Sequence, residues 1–225
     1  MNTLEYKNCK VEFRDCIEGM KELPDKSVDL CLTDPPYGIG LTQSRKTTKK
    51  GISFNDTKFL GDEWKKEALR VCKGVVFTPG VTNIQKYTYK YYPKIFFAWQ
   101  GPITIYDIIL ADGKVPRWSY IAEVKQHIPC LYQGMVHPCP KPLDYWVYLL
   151  KKLQPTSVLD PFMGSGTTME ACLQLGIPCI GYELMEEYRV DMEKRIERSK
   201  YYKRPETLEK WFDVSSSDIQ QKSTQ

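Results

Sequence analysis

The segment Asp34-Pro35-Pro36-Tyr37 combines residue types that could bind and orient a polar ligand. It follows residues 28–32, an apolar run with the composition of a buried strand. Because proline donates no backbone N–H and forces the residue before it into an extended conformation, strand pairing should end here. The result is a stiff segment that presents a carboxylate, two carbonyls and an aromatic ring. An ordinary strand terminator would look the same, and this segment alone leaves both interpretations open.

A second candidate segment is the glycine turn Asp160-Pro-Phe-Met-Gly-Ser-Gly-Thr-Thr, which lies between a short strand and a helical pattern. Glycines here would let the backbone approach a ligand closely, and the helix N-terminus favours an anionic group. The next strand ends at Glu183, where a carboxylate can accept hydrogen bonds from ribose hydroxyls. The alternative is a plain tight turn with acids as helix caps.

These residues fit S-adenosylmethionine better than a dinucleotide. The dinucleotide fingerprint has a small residue three positions after the second glycine, where this chain has Met169. Asp160 would repel a pyrophosphate but attract an ammonium group. A ligand with an amino acid at one end and a ribose at the other satisfies both acids, and S-adenosylmethionine is such a ligand. An NAD-dependent oxidoreductase remains an alternative.

Three further segments have several interpretations. The basic loop at 45–51 and the aromatic, lysine-rich segment at 84–99 could contact phosphates and stack on bases, or could be solvated surface and core. Zinc is the alternative for the histidines and cysteines at 127–139, but the His137-x-Cys139 spacing is tighter than in zinc fingers, so no metal is expected.

The composition, 42% hydrophobic and 27% charged among 225 residues, is that of a soluble globular protein. No signal peptide and no apolar stretch of about 20 residues is present, so we expect no membrane association. The eight scattered cysteines favour reduced thiols and a cytoplasmic location. The net charge of +4 permits an anionic partner.

Strands and helices that alternate along the chain are predicted to position the candidate residues. Strands are predicted at 11–13, 28–32, 74–78, 157–159 and 177–182, and helices at 17–23, 62–72, 143–153, 167–175 and 184–196. Four acids, Asp15, Asp34, Asp160 and Glu183, follow predicted strands, so a parallel sheet would gather them at one edge. Asp15 also fits a helix N-cap.

Together the motifs resemble the S-adenosylmethionine-dependent DNA amino-methyltransferases. Asp34-Pro35-Pro36-Tyr37 is similar to the catalytic motif of that family, and the glycine turn after Asp160 is similar to its cofactor motif. His137-Pro-Cys-Pro-Lys-Pro is similar to a third motif. The order, with the catalytic motif first, resembles the permuted β class, which acts on adenine N6 or cytosine N4.

The resemblance implies an α/β fold, a doubly wound and mostly parallel seven-stranded sheet. It implies one methyltransferase domain over residues 1–205, with a small irregular insertion for target recognition around 101–136. Residues 206–225 are expected to form a partly disordered C-terminal extension.

The resemblance also implies roles for individual residues. Asp34 and the carbonyl of Pro35 would accept the hydrogens of an exocyclic amine, Pro36 would stiffen the segment, and Tyr37 would stack on a base flipped out of double-stranded DNA. The residues expected to contact the cofactor are Asp15, Asp34, Lys141, Asp160, Phe162, Gly164, Gly166, Thr167 and Glu183. Asp15 would lie near the adenine, Asp160 and Gly164 at the methionine end, and Lys141 at its carboxylate.

The expected function is therefore methyl transfer to the N6 amine of a flipped adenine, in restriction–modification. Aspartate at position 34 favours adenine, because the cytosine-N4 enzymes more often have serine there. Cytosine N4, RNA and a non-catalytic nucleic-acid-binding protein remain alternatives. The span between the motifs is shorter than the target-recognition region usual in the β class. The protein could therefore recognise a short DNA site, form a homodimer or depend on an accessory recognition subunit.

Overall fold

The computed structural model describes residues 2–38, 62–80, 83, 94–100, 103–117, 124–125, 135–137 and 140–201. The predicted basic loop, residues 84–93 of the aromatic segment and the extension at 206–225 lie outside this part of the chain. Residues 103–113, which fall within the predicted irregular insertion, form a regular strand. The domain boundaries stay predictions.

Nine strands pair into one sheet in the described part of the chain. They are β1 (Thr3–Tyr6), β2 (Cys9–Phe13), β3 (Val28–Thr33), β4 (Cys72–Phe77), β5 (Lys94–Gln100), β6 (Ile103–Gly113), β7 (Val124–Lys125), β8 (Val158–Asp160) and β9 (Cys179–Glu183).

The strand order is β1-β2-β9-β8-β3-β4-β6-β5-β7. The central pairs from β2 to β4 are parallel, whereas β6 runs antiparallel to β4 and β5. Without the edge strand β1 and the two-residue β7, seven strands remain. The predicted fold class is confirmed, with one short strand added at each edge.

The helices of the described residues are α1 (Cys16–Lys21), α2 (Glu63–Val71), α3 (Leu143–Leu153), α4 (Thr167–Leu175) and α5 (Arg189–Tyr201), with a 3-10 helix at Glu186–Tyr188. Helices α3 and α4 have the predicted bounds. Gly176 caps the end of α4, and its φ of 71° is the left-handed conformation that favours glycine. No described helix is long and apolar enough to cross a membrane.

Helices cover both faces of the sheet. Helices α3, α4 and α5 contribute Leu149, Met169 and Met192 to one core, and α1 and α2 contribute Met20 and Trp64 to the other. In β3, Leu30 and Leu32 belong to the first core, and Cys31 between them belongs to the second. Because both faces are buried, this strand reads as a continuous apolar run in the sequence.

The spacing of Leu184, Tyr188, Met192 and Ile196 predicts that these residues form one buried face of the last helix, and this prediction is only partly correct. Tyr188, Met192 and Ile196 are buried, but Leu184 is 68% exposed. Leu184 comes directly after β9 and before the helix begins, so the helical period does not extend to it.

A buried ion pair joins α4 to α5. Arg195 Nη1 lies 2.6 Å from Glu170 Oε2, and both side chains are 3% exposed. Arg195 Nε also donates to the carbonyl of Ser165 at 2.7 Å. The pair therefore fixes α5 against the glycine turn that precedes α4.

We expect Arg195→Met to lower the free energy of unfolding by about 3–5 kcal/mol, because among the described residues Glu170 would keep the half-exposed Arg198 as its one cationic partner. Denaturant unfolding measures this change. The control is Lys200→Met in the exposed Lys200–Glu197 pair, which should change stability by less than about 1 kcal/mol. Equal losses in both variants would contradict a special contribution from the buried pair.

Candidate active site

Three carboxylates lie at the edge where the central parallel strands end. Asp34 follows β3, Asp160 ends β8 and Glu183 ends β9. From β8 the chain passes through α4 to β9, and from β3 it passes through α2 to β4, in the opposite direction across the sheet. Open α/β sheets bind ligands where the strand order reverses in this way. The crevice between β8 and β3 is therefore the candidate site.

The carboxylate of Asp160 is buried at the centre of this crevice, with the residue 2% exposed. Its Oδ1 accepts hydrogen bonds from Thr33 Oγ1 at 2.6 Å and from the N–H of Phe162 at 3.0 Å. Its Oδ2 accepts one from the hydroxyl of Thr168. Burial raises the pKa of Asp160 to about 6, although these donors act in the opposite direction. Asp160 thus links β3, the glycine turn and α4.

The carboxylate of Glu183 holds the glycine turn from its other side. Oε2 accepts a hydrogen bond from the N–H of Gly164 at 2.7 Å, and Oε1 accepts one from the N–H of Met185 at 2.8 Å. Burial raises the pKa of Glu183 to about 7, against the lowering effect of the backbone donors. The predicted ribose acceptor is therefore also an anchor for the turn.

The turn requires glycine at two positions. Gly164 has a φ of 53° and Gly166 a φ of 82°, a conformation that other residues adopt only with strain. A Cβ at Gly166 would lie 2.9 Å from Met192 Cγ, so the backbone there packs directly on α5.

Three donors converge on one oxygen of Asp34. The hydroxyls of Tyr37 and Thr78 both donate to Oδ1, and Lys141 Nζ lies 3.3 Å from the same atom. Lys141 Nζ also donates to the Tyr37 hydroxyl oxygen at 3.1 Å. These contacts fix the direction of the Asp34 carboxylate at the end of β3.

The segment after β4 supports Tyr37. A Cβ at Gly80 would lie 2.9 Å from Cγ of the Tyr37 ring, and Asn83 Nδ2 donates to the Tyr37 carbonyl at 2.7 Å. Thr78, Gly80 and Asn83 were not candidates in the sequence analysis. The sequence Pro79-Gly80 is typical of a turn. That this turn lies next to Tyr37 depends on the pairing of β3 with β4.

Both candidate segments line one cleft. It contains about 300 Å³ of empty space, part of which is open solvent. Its lining includes Asp34 and Lys141 together with Phe162, Gly164 and Thr167 of the glycine turn. The structure therefore places the Asp34 segment and the glycine turn close enough to contact one ligand pair.

The remaining predicted residues lie around this cleft. Pro35 is buried and Pro36 half-buried, and Thr167 Oγ1 donates to the carbonyl of Lys141 at 3.3 Å. Asp15 caps α1, where its Oδ1 accepts from the N–H groups of Ile17 and Glu18. The capping role considered for Asp15 is thus present, at the same edge of the sheet as Glu183.

His137 packs against the glycine turn. Its Nε2 would lie 3.0 Å from a Cβ at Gly164, and its ring meets Tyr188 edge-on at 4.6 Å. Burial lowers the pKa of His137 to about 3, so the ring is neutral at physiological pH. Positions 127, 130 and 139 lie outside the residues that the structure describes. Within the described part of the chain, no group of three metal-ligating side chains occurs.

Comparison with known proteins identifies relatives of this chain. A family profile of N6/N4 methyltransferases, described as DNA methylase, matches residues 82–194. The type II methyltransferase M.HpaI of Haemophilus parainfluenzae is 26% identical over 80% of this chain and 71% of its own. The putative methylase YubD of Escherichia coli K12 is 28% identical over 81% of this chain and 87% of its own.

Solved structures share the fold. The crystal structure of the M1.HpyAVI–SAM complex covers 83% of this chain and 99% of its own, with a TM-score of 0.61 and 21% identity. The match to the PvuII cytosine-N4-specific DNA methyltransferase covers 86% of this chain and 90% of that protein, with a TM-score of 0.60 and 14% identity. At these identities the likeness establishes the fold.

We expect Gly164→Ala to lower stability more than Gly176→Ala, although both glycines have a positive φ. Alanine in this conformation costs about 1–2 kcal/mol at either position, but a Cβ at Gly164 would also press on His137, whereas one at Gly176 meets nothing within 4 Å. Thermal unfolding of the two variants measures the difference. Equal losses would show that the turn has room for a side chain.

Proposed function

Because the chain belongs to the N6/N4 family of DNA methylases, we propose that it moves a methyl group from S-adenosylmethionine to the N6 amine of an adenine flipped out of double-stranded DNA. This family match argues against the alternative of an NAD-dependent oxidoreductase. The observation that carries the proposal is the single cleft lined by both Asp34 and the glycine turn. The type II methyltransferases among its relatives support a role in restriction–modification.

Residues in the cleft and beside it suit the two ends of the proposed cofactor. Glu183, beside the turn, accepts the ribose hydroxyls, while the buried charge of Asp160 favours the ammonium of the methionine end. The glycine backbone at Gly164 leaves room for close approach, and Phe162 lines the same cleft. Gly166 and Thr167 form the start of α4, where the helix favours the carboxylate. Bound S-adenosylmethionine supplies an electrophilic methyl group on a sulfonium.

Asp34 and Pro35 prepare the nucleophile. The amine of a base is a weak nucleophile because its lone pair is delocalised into the ring. By accepting both amine hydrogens, the Asp34 carboxylate and the Pro35 carbonyl favour a pyramidal nitrogen whose lone pair points at the methyl group. The prolines and the bond from Thr78 keep these acceptors fixed, so the site is organised before the reaction. Tyr37 stacks on the flipped base.

The residue at position 34 bears on the choice of target base. Aspartate at position 34 favours adenine, and cytosine N4 is the alternative, since a structural neighbour is described as cytosine-N4-specific. Asp15 is assigned to the adenine of the cofactor in addition to its capping role. A homodimer or an accessory subunit that recognises the target stays a prediction.

The proposal is tested by mass spectrometry of bases in DNA from cells that express the chain. We expect N6-methyladenine with the wild-type chain and a loss of about 100-fold or more with Asp34→Asn. Glu197→Gln, in an exposed ion pair of α5, is the control and should keep wild-type levels. N4-methylcytosine would keep the mechanism and change the base. If neither the wild-type chain nor the two variants produce a methylated base, the result would favour RNA as the substrate or the non-catalytic alternative.

We expect the affinity for S-adenosylhomocysteine, the product of this reaction, to rise between about pH 6 and pH 8. Glu183 accepts two ribose hydroxyls only as a carboxylate, and its pKa of about 7 leaves it protonated on the acidic side. Titration calorimetry across this range measures the rise. Glu183→Gln should remove most of it and leave the smaller rise expected from Asp160, whose pKa is about 6. Glu186→Gln, at an exposed neighbour, should preserve the full rise. A flat profile for the wild-type protein would contradict this role.

A further inference from the structure

The ammonium of Lys141 is placed between the two halves of the cleft. Its Nζ lies 3.3 Å from Asp34 Oδ1, and the two side chains are only 16% and 24% exposed. Water screens such a pair less than it screens a surface pair, so the attraction is strong enough to affect how either group binds a ligand. Lys141 is thus a partner of the proposed catalytic acid.

The same residue also belongs to the cofactor half. The carbonyl of Lys141 accepts a hydrogen bond from Thr167, the first residue of α4, at 3.3 Å. Its side chain lines the cleft together with Gly164 and Thr167. A carboxylate bound at the methionine end would therefore attract the ammonium that now pairs with Asp34.

These contacts create a competition at Asp34. Its Oδ1 accepts bonds from Tyr37 and Thr78 and faces Lys141, yet the proposed reaction needs this carboxylate to accept a hydrogen from the substrate amine. A carboxylate that already interacts with a cation is a weaker acceptor for a neutral amine. Methyl transfer would gain if the cation moved away when the cofactor was in place.

We propose that Lys141 is shared between Asp34 and the carboxylate of the bound cofactor, so that filling the cofactor half of the cleft makes Asp34 available to the substrate amine. This inference rests on the proposed function, because it takes S-adenosylmethionine as the cofactor. It makes Lys141 a positioning residue that couples two binding events, in addition to a contact for the cofactor. Such coupling is reciprocal: Asp34 weakens cofactor binding to the same extent that the cofactor frees Asp34.

The reciprocity allows a test that needs neither DNA nor activity. Calorimetry would measure S-adenosylhomocysteine binding to the full chain and to three variants, Asp34→Asn, Lys141→Met and the double variant. Asparagine keeps the size of the side chain but removes its charge, so it releases Lys141. We expect Asp34→Asn to tighten binding about fivefold or more, Lys141→Met to weaken it, and Asp34→Asn to have no effect once Lys141 is replaced.

Methylthioadenosine is the matched control ligand, because it has the same nucleoside but no amino acid group. None of the variants should change its affinity by more than about twofold, since no carboxylate competes for Lys141. A general disturbance of the cleft, or poor folding, would instead weaken both ligands together.

The outcomes separate this inference from the proposed function. If the wild-type chain binds S-adenosylhomocysteine but Asp34→Asn leaves that affinity unchanged or weaker, the sharing of Lys141 is wrong and the proposed cofactor stands. The sharing is also wrong if Asp34→Asn tightens binding equally in the Lys141→Met background. If the wild-type chain binds neither ligand, the proposed cofactor is wrong, and the inference with it.

Discussion

A buried carboxylate, that of Asp160, joins the two halves of the candidate site. Its hydrogen bonds to Thr33 and Thr168 link the strand that presents Asp34 to the helix that starts at the glycine turn. Burial of an acid is unfavourable unless donors surround it, and here two hydroxyls and a backbone N–H do so. A single side chain, held by three hydrogen bonds, thus links the Asp34 segment to the glycine turn.

Glu183 and Glu170 extend this arrangement outward. Glu183 fixes the N–H of Gly164 from β9, and Glu170, through Arg195, fixes the carbonyl of Ser165 from α5. The turn is therefore held by acids on three sides, directly or through one arginine. This explains how a segment with two glycines, which would be pliable in isolation, can serve as a rigid wall of the cleft.

The sequence predicted what depends on local order along the chain. The bounds of α3 and α4 and the position of Asp34 after a strand follow from periods, caps and prolines that neighbouring residues carry. Thr78, Gly80 and Asn83 could not be predicted, because their roles depend on β4 lying beside β3. The exposure of Leu184 was not predicted for a related reason. The helical period of apolar residues applies only within a helix, and Leu184 lies between β9 and the helix that follows.

The strand order has a consequence for the synthesis of the chain. Strands β8 and β9 lie between β2 and β3 in the sheet, yet they are the last of the described strands to be made. Until residues 158–183 emerge from the ribosome, β2 and β3 are separated by a gap two strands wide, and Asp34 faces no glycine turn. Chains interrupted before this point contain the complete Asp-Pro-Pro-Tyr segment without the glycine turn that lines the cleft beside Asp34. An incomplete copy of this protein thus lacks the two strands that close the sheet and the turn that faces Asp34.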